Sequence, residues 1–312
     1  MKKNIYIASC TKDGGIYRLS VGSDGMKIED KTDLPLPMYQ TIRNGKMYVL
    51  LRAPFGNDES GMCSFDIMPD GSLANMSEII SSKGVVACHI CAAQSGVYAV
   101  NYLSGSVIKF PDKLVVHSGK GVDPVRQEAP HTHFVGITPD EKYVCVTDLG
   151  LDKVFFCDKD LNEQFTADVP LGHGARHLVF SPDGKYMYCA NELKSTVTVF
   201  AYDGANTRAL GTYSALPDDF DGTNLAAAIR LHDGKLYVSN RGHDSIAVFD
   251  ADGEKLRLEK FIPTGDHPRD FDIFDGVIYC CNMNGNTVTA YDLDGKLLQV
   301  LDIEQPLCVN RQ

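Results

Sequence analysis

Tryptophan is absent from this sequence. Positive charge is scarce as well: 30 lysines and arginines stand against 41 aspartates and glutamates, a formal net charge of -11. Such a surface repels polyphosphate and anionic bilayers, so neither nucleic acid nor membrane is an expected partner. An anionic small molecule would need a local group of arginines to hold it against that field, which directs attention to every inward-pointing Arg. No apolar run approaches a membrane span, and the opening MKKNIYIASCTKDGG has too short a hydrophobic stretch for an export signal. No stretch keeps a helical period long enough to mark a second domain. A G-x-S-x-G elbow is missing, so a serine nucleophile has no support, and Gly119-Lys120-Gly121 lacks the spacing of a phosphate-binding loop. The ten cysteines are scattered singly, several inside strand-like runs (Cys145, Cys157, Cys189, Cys280). Without an export signal they read as reduced thiols of a cytoplasmic protein. Cys88-His89-Ile90-Cys91 has C-x-x-C spacing, but on a strand positions i and i+3 face opposite ways, and no histidine follows to make a haem attachment site.

What is present is repetition. An apolar strand ending in Asn or Asp, a short polar turn and a second strand ending in an aromatic recur along the chain. The pattern appears as YAVN then SVIKF, YVCVTD then KVFFC, YCAN then STVTVF, YVSN then SIAVF, and YCCN then TVTAY. IYIASC with GIYRL and YVLLR with MCSF are looser copies. Successive markers (Cys10, Arg52, Asn101, Asp148, Asn191, Asn240, Asn282) stand 42 to 49 residues apart, the period of a four-stranded propeller blade. Asp-Gly and Asn-Gly pairs such as Asp183-Gly184, Asp233-Gly234 and Asp275-Gly276 fall between strands, as hairpins require. The spacing therefore predicts an all-β fold, a seven-bladed β-propeller with four-stranded blades, forming one domain over residues 1–312. Each copy is preceded by a further short strand, expected at 38–43, 85–92, 131–138, 175–181, 224–231 and 268–274. The seventh falls in Pro306–Arg311, so the N- and C-terminal strands are expected to share the closing blade and leave no open edge. The one long irregular segment, residues 117–130, is the kind of loop that more often serves a function than merely connects.

The innermost strands of a propeller line its channel, so residues in register on different blades are spatial neighbours. Counting back from the Pro-Asp turns, Pro139 lies six residues after His133 and Pro182 six after Arg176, which makes His133 and Arg176 equivalent. Blade seven offers Arg269, expected one residue out of register because its turn is shorter, and blade three offers His89. A second row follows the marker positions: Leu149, Glu192 and Arg241. Imidazoles, guanidiniums and one carboxylate thus converge on one mouth. Arginines match carboxylate or phosphate with paired donors, a His or Glu can activate water, and an Arg can stabilise the oxyanion of an attacked carbonyl. Each feature also has a plainer reading. Asn101, Asn191, Asn240 and Asn282 can bond backbone at blade edges, and Glu192 can simply pair with Arg241 or Lys194. His131 and His133 share the spacing of metal pairs, but no neighbouring acid completes a ligand set, so no metal and no cofactor is expected.

The runs RQEAPHTHFVGITPDEKYVCVTDLGLDKV, GHGARHLVFSPDGKYMYCANELKSTVTVF, NRGHDSIAVF and TGDHPRDFDIF resemble the lactonase family of seven-bladed propellers, which includes propeller-type 6-phosphogluconolactonases and fungal carboxy-muconate lactonising enzymes. The specific motifs cover blades four to seven; the first third of the chain matches by period alone. The resemblance implies a metal-independent site acting on a sugar-acid lactone. It places the family's catalytic positions on His133 (or His131), Arg176, Glu192 and Arg241. His131, His89, Arg269 and His177 are the further expected substrate contacts. Ala175 stands where the family has Pro before the Arg, which frees backbone φ and leaves Arg176 in place. The implied activity is hydrolysis of 6-phosphoglucono-1,5-lactone to 6-phosphogluconate in the pentose phosphate pathway, with a small anionic lactone as the partner. His131, His133 and Glu192 all stand as possible bases. A lactonising or isomerising activity on an unsaturated dicarboxylate would use the same residues. A non-catalytic interaction propeller is the rival of another class; the lack of Trp-Asp repeats weighs against it, and the lack of C-x-x-C-H against a haem propeller.

Overall fold

A computed structural model describes residues 3–312; Met1 and Lys2, the first two residues of the stretch weighed as an export signal, lie outside the described residues. No helix is present among the described residues, and the strands form seven sheets. Each sheet is an antiparallel meander whose first strand lies innermost. The inner strands are Pro37–Arg43, Ala87–Ala93, Thr132–Ile137, Ala175–Phe180, Leu225–His232, Pro268–Phe274 and Pro306–Arg311. The last of these pairs with Lys3–Ser9, Ile7 opposite Val309, so the two ends of the chain close the ring as the repeat pattern predicts. Blade two departs from regularity. Its outer position is divided between Leu73–Ala74 and Ile80–Val85, both paired to Glu59–Ile67, so Val85 belongs to this outer strand and not to the next inner one.

The sequence builds this ring because middle strands are apolar on both faces. Val144–Asp148 is buried at every position, since each blade is covered by a neighbour on either side. The apolar clusters accordingly lie between blades: Ile5, Ile7 and Leu19 of blade one with Tyr279, Cys281 and Val288 of blade seven, and Val154 and Phe156 of blade four with Met187, Cys189 and Phe200 of blade five. The marker asparagines take the structural role. Asn101 Nδ2 donates to Ser82 O and Ser106 Oγ, Asn240 Nδ2 to Ala215 O, and Asn191 and Asn282 each to two threonine hydroxyls of the next strand. These bonds fix the turn that follows each marker, and hence the residue immediately after it.

Candidate active site

One local irregularity recurs around the channel and sets the site. Near its start, each inner strand is out of step with its partner by an extra residue, a β-bulge that re-aims a side chain. The extra residues are Met38, Cys88, His133, Arg176, Arg269 and Leu307, with Ala227-Ala228 at the corresponding place in blade six. Arg269 is therefore in register with His133 and Arg176, not one residue out. Blade three contributes Cys88 at that level, and His89 falls one residue deeper. The second ring, one residue past the strand-end positions, consists of Cys10, Arg52, Tyr102, Leu149, Glu192, Arg241 and Met283. In blades one and two the strand-end positions are Ser9 and Leu51, so the expected markers Cys10 and Arg52 fall one residue later than their counterparts. Members of both rings, among them His133, Glu192, Arg241, Arg269 and Arg52, line a cavity of about 470 Å³ together with Arg126, whereas Arg176 and Leu149 are buried outside its lining.

Glu192 is the hub. Arg126 Nη2 donates to its Oε1 at 2.6 Å, Arg176 Nε donates to its Oε2 at 3.0 Å, and Arg241 Nη2 lies 2.8 Å from the same Oε2. Burial alone would raise this carboxyl, but Arg241 and Arg176 outweigh it and hold it well below the usual carboxylate range. Arg241 also donates to Leu225 O and Ala226 O, which locks its fork. The Glu192 turn is placed by Gly174, whose carbonyl accepts the Glu192 N–H; at φ +72° and with Leu193 2.7 Å from where a Cβ would stand, only glycine fits there. Arg176 is almost wholly buried, and its Nη1 has no hydrogen-bond partner within the protein. Burial, and after it the Arg241 charge, bring its guanidinium down to about 9, still cationic at neutral pH.

His133 lines the cavity, and its buried Nδ1 has no hydrogen-bond partner within the protein. Burial and the Arg176 charge push its imidazole well below the ordinary range, so it is neutral at pH 7. His131 plays a supporting part. It stacks on Tyr102 at 4.6 Å between ring centres, with Nδ1 3.1 Å from Tyr102 O and Nε2 3.2 Å from Glu128 Oε1. His89 and His177 are not among the residues lining the cavity. They sit one layer below, packed with Tyr39 and Phe134, and the His177 ring lies 5.1 Å from His89 and 5.3 Å from His133. The structure thus puts His133, Glu192, Arg241 and Arg269 on the cavity lining, with Arg176 bonded to Glu192 just behind it, while His89, His131 and His177 do not line the cavity.

Arg126, Tyr102, Arg52 and His267 lie at the cavity without having been singled out in the sequence. Tyr102 follows a marker as Glu192 and Arg241 do, so the same counting reaches it; Arg52 escapes that count because the strand-end position in its blade is Leu51, one residue before the marker. Arg126 comes from the 117–130 loop, which is tied down at both ends by Asp148: His117 Nδ1 lies 2.7 Å from Asp148 Oδ2, and the His131 N–H donates to Asp148 Oδ1 at 2.8 Å. Inside the loop the buried Gln127 accepts from the N–H groups of Val122 and Asp123 and donates to Leu149 O. This side chain is the loop's own core.

The family model described as "Lactonase, 7-bladed beta-propeller" matches residues 4–311. The chain belongs to this lactonase family. Among its relatives, an uncharacterised protein of Staphylococcus epidermidis is 35% identical over 295 residues, 86% of this chain and 85% of that one. One of Staphylococcus aureus is 33% identical over 299 residues, 86% of each. A crystal structure of a Lactobacillus plantarum protein superposes with a TM-score of 0.91 at 30% identity, covering 100% of both chains. The periplasmic gluconolactonase of Pseudomonas aeruginosa superposes with a TM-score of 0.90 over 100% of this chain and 99% of its own; at 24% identity that likeness shows a shared fold.

Proposed function

We propose that the protein hydrolyses the ester of a sugar-acid lactone, with 6-phosphoglucono-1,5-lactone as the favoured substrate. The carrying observation is the Arg176 guanidinium, which has an unused N–H, bonds Glu192 directly behind the cavity wall and stands in register with a neutral, cavity-lining His133 on the next blade. A guanidinium so placed is a donor for a developing oxyanion, and a neutral imidazole is a proton acceptor at pH 7. In the reaction His133 takes a proton from water as the water oxygen adds to the lactone carbonyl. Arg176 stabilises the resulting oxyanion. The ring C–O bond then breaks, the imidazolium returns its proton to the leaving alkoxide, and the open acid remains. Glu192 does not serve as the base, because three arginines occupy its oxygens; its role is to hold those arginines in place. Two further supports are the family membership and the gluconolactonase fold relative. The surplus of arginine over carboxylate in the cavity suits a phosphorylated lactone.

The test is lactone opening measured against the spontaneous rate in buffer. Wild-type protein is expected to accelerate 6-phosphoglucono-1,5-lactone opening. Arg176→Lys, which keeps a charge but loses the fork, is expected to lower kcat by about 10²–10³. Opening no faster than buffer across pH 6 to 8 would overturn the reading.

A further inference from the structure

We propose that Arg269 and Arg52 form a second anion subsite within this cavity, which holds an anionic group carried by the substrate away from its ester. The inference rests on the hydrolase reading for what the substrate is, and on the charge inventory of the cavity for the subsite itself. Four arginines line the cavity beside a single carboxylate, Glu192. Arg126 and Arg241 are spent on Glu192, and Arg241 is bound to two backbone carbonyls as well. Arg269 and Arg52 have no acidic partner and no side-chain hydrogen bond among the described residues.

The surroundings do not supply a partner. Asp270, next to Arg269 in sequence, faces the channel, where it accepts from Arg230 Nη2 at 2.7 Å and from Val309 N at 3.2 Å. The wall on this side carries no acid: it is Cys10, Met38, Met283 and Leu307, with Gln305 as a polar, uncharged member. Burial raises the Cys10 thiol while Arg52 and Arg269 both pull it down, which puts both guanidiniums within electrostatic reach of one point on that wall. His267, lining the same cavity, is brought down to about 4 by burial and by Arg241 and Arg269, so it is a neutral neighbour at pH 7. Arg269 is half-buried and Arg52 exposed at the cavity, so both guanidiniums are open to solvent and to an incoming anion, in a protein of net charge -11 that offers them no carboxylate among the described residues. The bulge that aims Arg269 is the one that aims His133 and Arg176 on blades four and five, and the subsite shares one cavity with His133. A phosphate monoester and a carboxylate share the required chemistry.

Binding without turnover separates this proposal from the reaction. Wild-type protein is titrated calorimetrically with 6-phosphogluconate, glucarate and gluconate, which carry a distal phosphate, a distal carboxylate and no distal anion. One or both of the first two are expected to bind about 10-fold tighter than gluconate or better, a gap that Arg269→Gln closes and Arg52→Gln narrows, with melting temperatures unchanged. Which of the two gains identifies the group. Equal binding of all three by wild type, or an equal loss for all three in Arg269→Gln, overturns the subsite. Lactone opening is measured on the same preparations. A protein that shows the anion preference yet opens no lactone retains the subsite and loses the hydrolase reading. One that opens 6-phosphogluconolactone and gluconolactone alike, with no change in Arg269→Gln, retains the hydrolase and loses the subsite.

Discussion

Glu192 accepts from Arg126, Arg176 and Arg241 while exposing almost none of its surface, and this arrangement decides what the residue can do. A carboxylate with both oxygens taken by three guanidiniums has no free oxygen with which to draw a proton from water. Among the described residues it is, however, the only carboxylate paired with the two buried arginines, Arg176 and Arg241. Removing one partner of such a group leaves the others uncompensated in a poorly solvated place, which typically costs about 3–5 kcal/mol. Glu192→Gln is therefore expected to lower unfolding stability in urea by about that amount. Arg126→Gln is expected to cost ~1 kcal/mol or less, because a third of the Arg126 side chain meets solvent and Glu192 keeps its two inner partners. A Glu192→Gln protein as stable as wild type but without activity would reverse the assignment and make Glu192 the base.

At the scale of elements, the blades were readable because each one spells out a strand, an asparagine-bonded turn and a returning strand. The bulges were not readable, because an extra residue leaves the apolar alternation on either side intact. Counting from the turns succeeded for His133 and Arg176, whose inner strands end on matching Thr-Pro-Asp and Ser-Pro-Asp turns. It slipped by one for Arg269 and His89, whose strands end on Asp275-Gly276 and near Gln94-Ser95. Arg126 was out of reach for another reason: it lies on the one segment that has no counterpart in other blades, so no register pointed to it. That loop presents Arg126 through bonds made by Gln127 and Asp148 rather than by apolar packing. Gln127→Ala leaves the Leu149 carbonyl and two N–H groups without partners, a loss of about 1–3 kcal/mol confined to the loop. The expected result is faster limited proteolysis within residues 117–130, together with a fall in kcat/KM matching that of Arg126→Ala. Faster cleavage with unchanged kinetics would show that the loop's order does not matter to Arg126.

The whole ring is closed over a column of neutral imidazoles, and that gives the fold a direction of pH sensitivity. Burial brings His89 down to about 3 and holds His133 and His177 well below the ordinary imidazole range, with Arg230 adding to the effect at His89 and Arg176 at the other two. In the unfolded chain each titrates near 6.5. The unfolded state therefore binds more protons than the native state at any pH between those limits. The stability these residues contribute is complete above about pH 6.5 and is lost as pH falls towards their native values. Each fully neutral imidazole adds up to about 1.4 kcal/mol of lost stability per pH unit. Glu192, also depressed in the native state, loses its contribution only once pH falls below about 4.3, so the interval from 6.5 to 5 isolates the histidines from it. Urea unfolding followed at pH 7, 6, 5.5 and 5 is expected to show a steepening decline. His177→Phe, which keeps a ring against His89 and Phe134, is expected to make the slope between pH 6 and 5 shallower by about 1.4 kcal/mol per unit. A wild-type stability that stays level over that interval would mean that the column takes up protons without unfolding, and the imidazoles would then be solvated in a way their packing forbids.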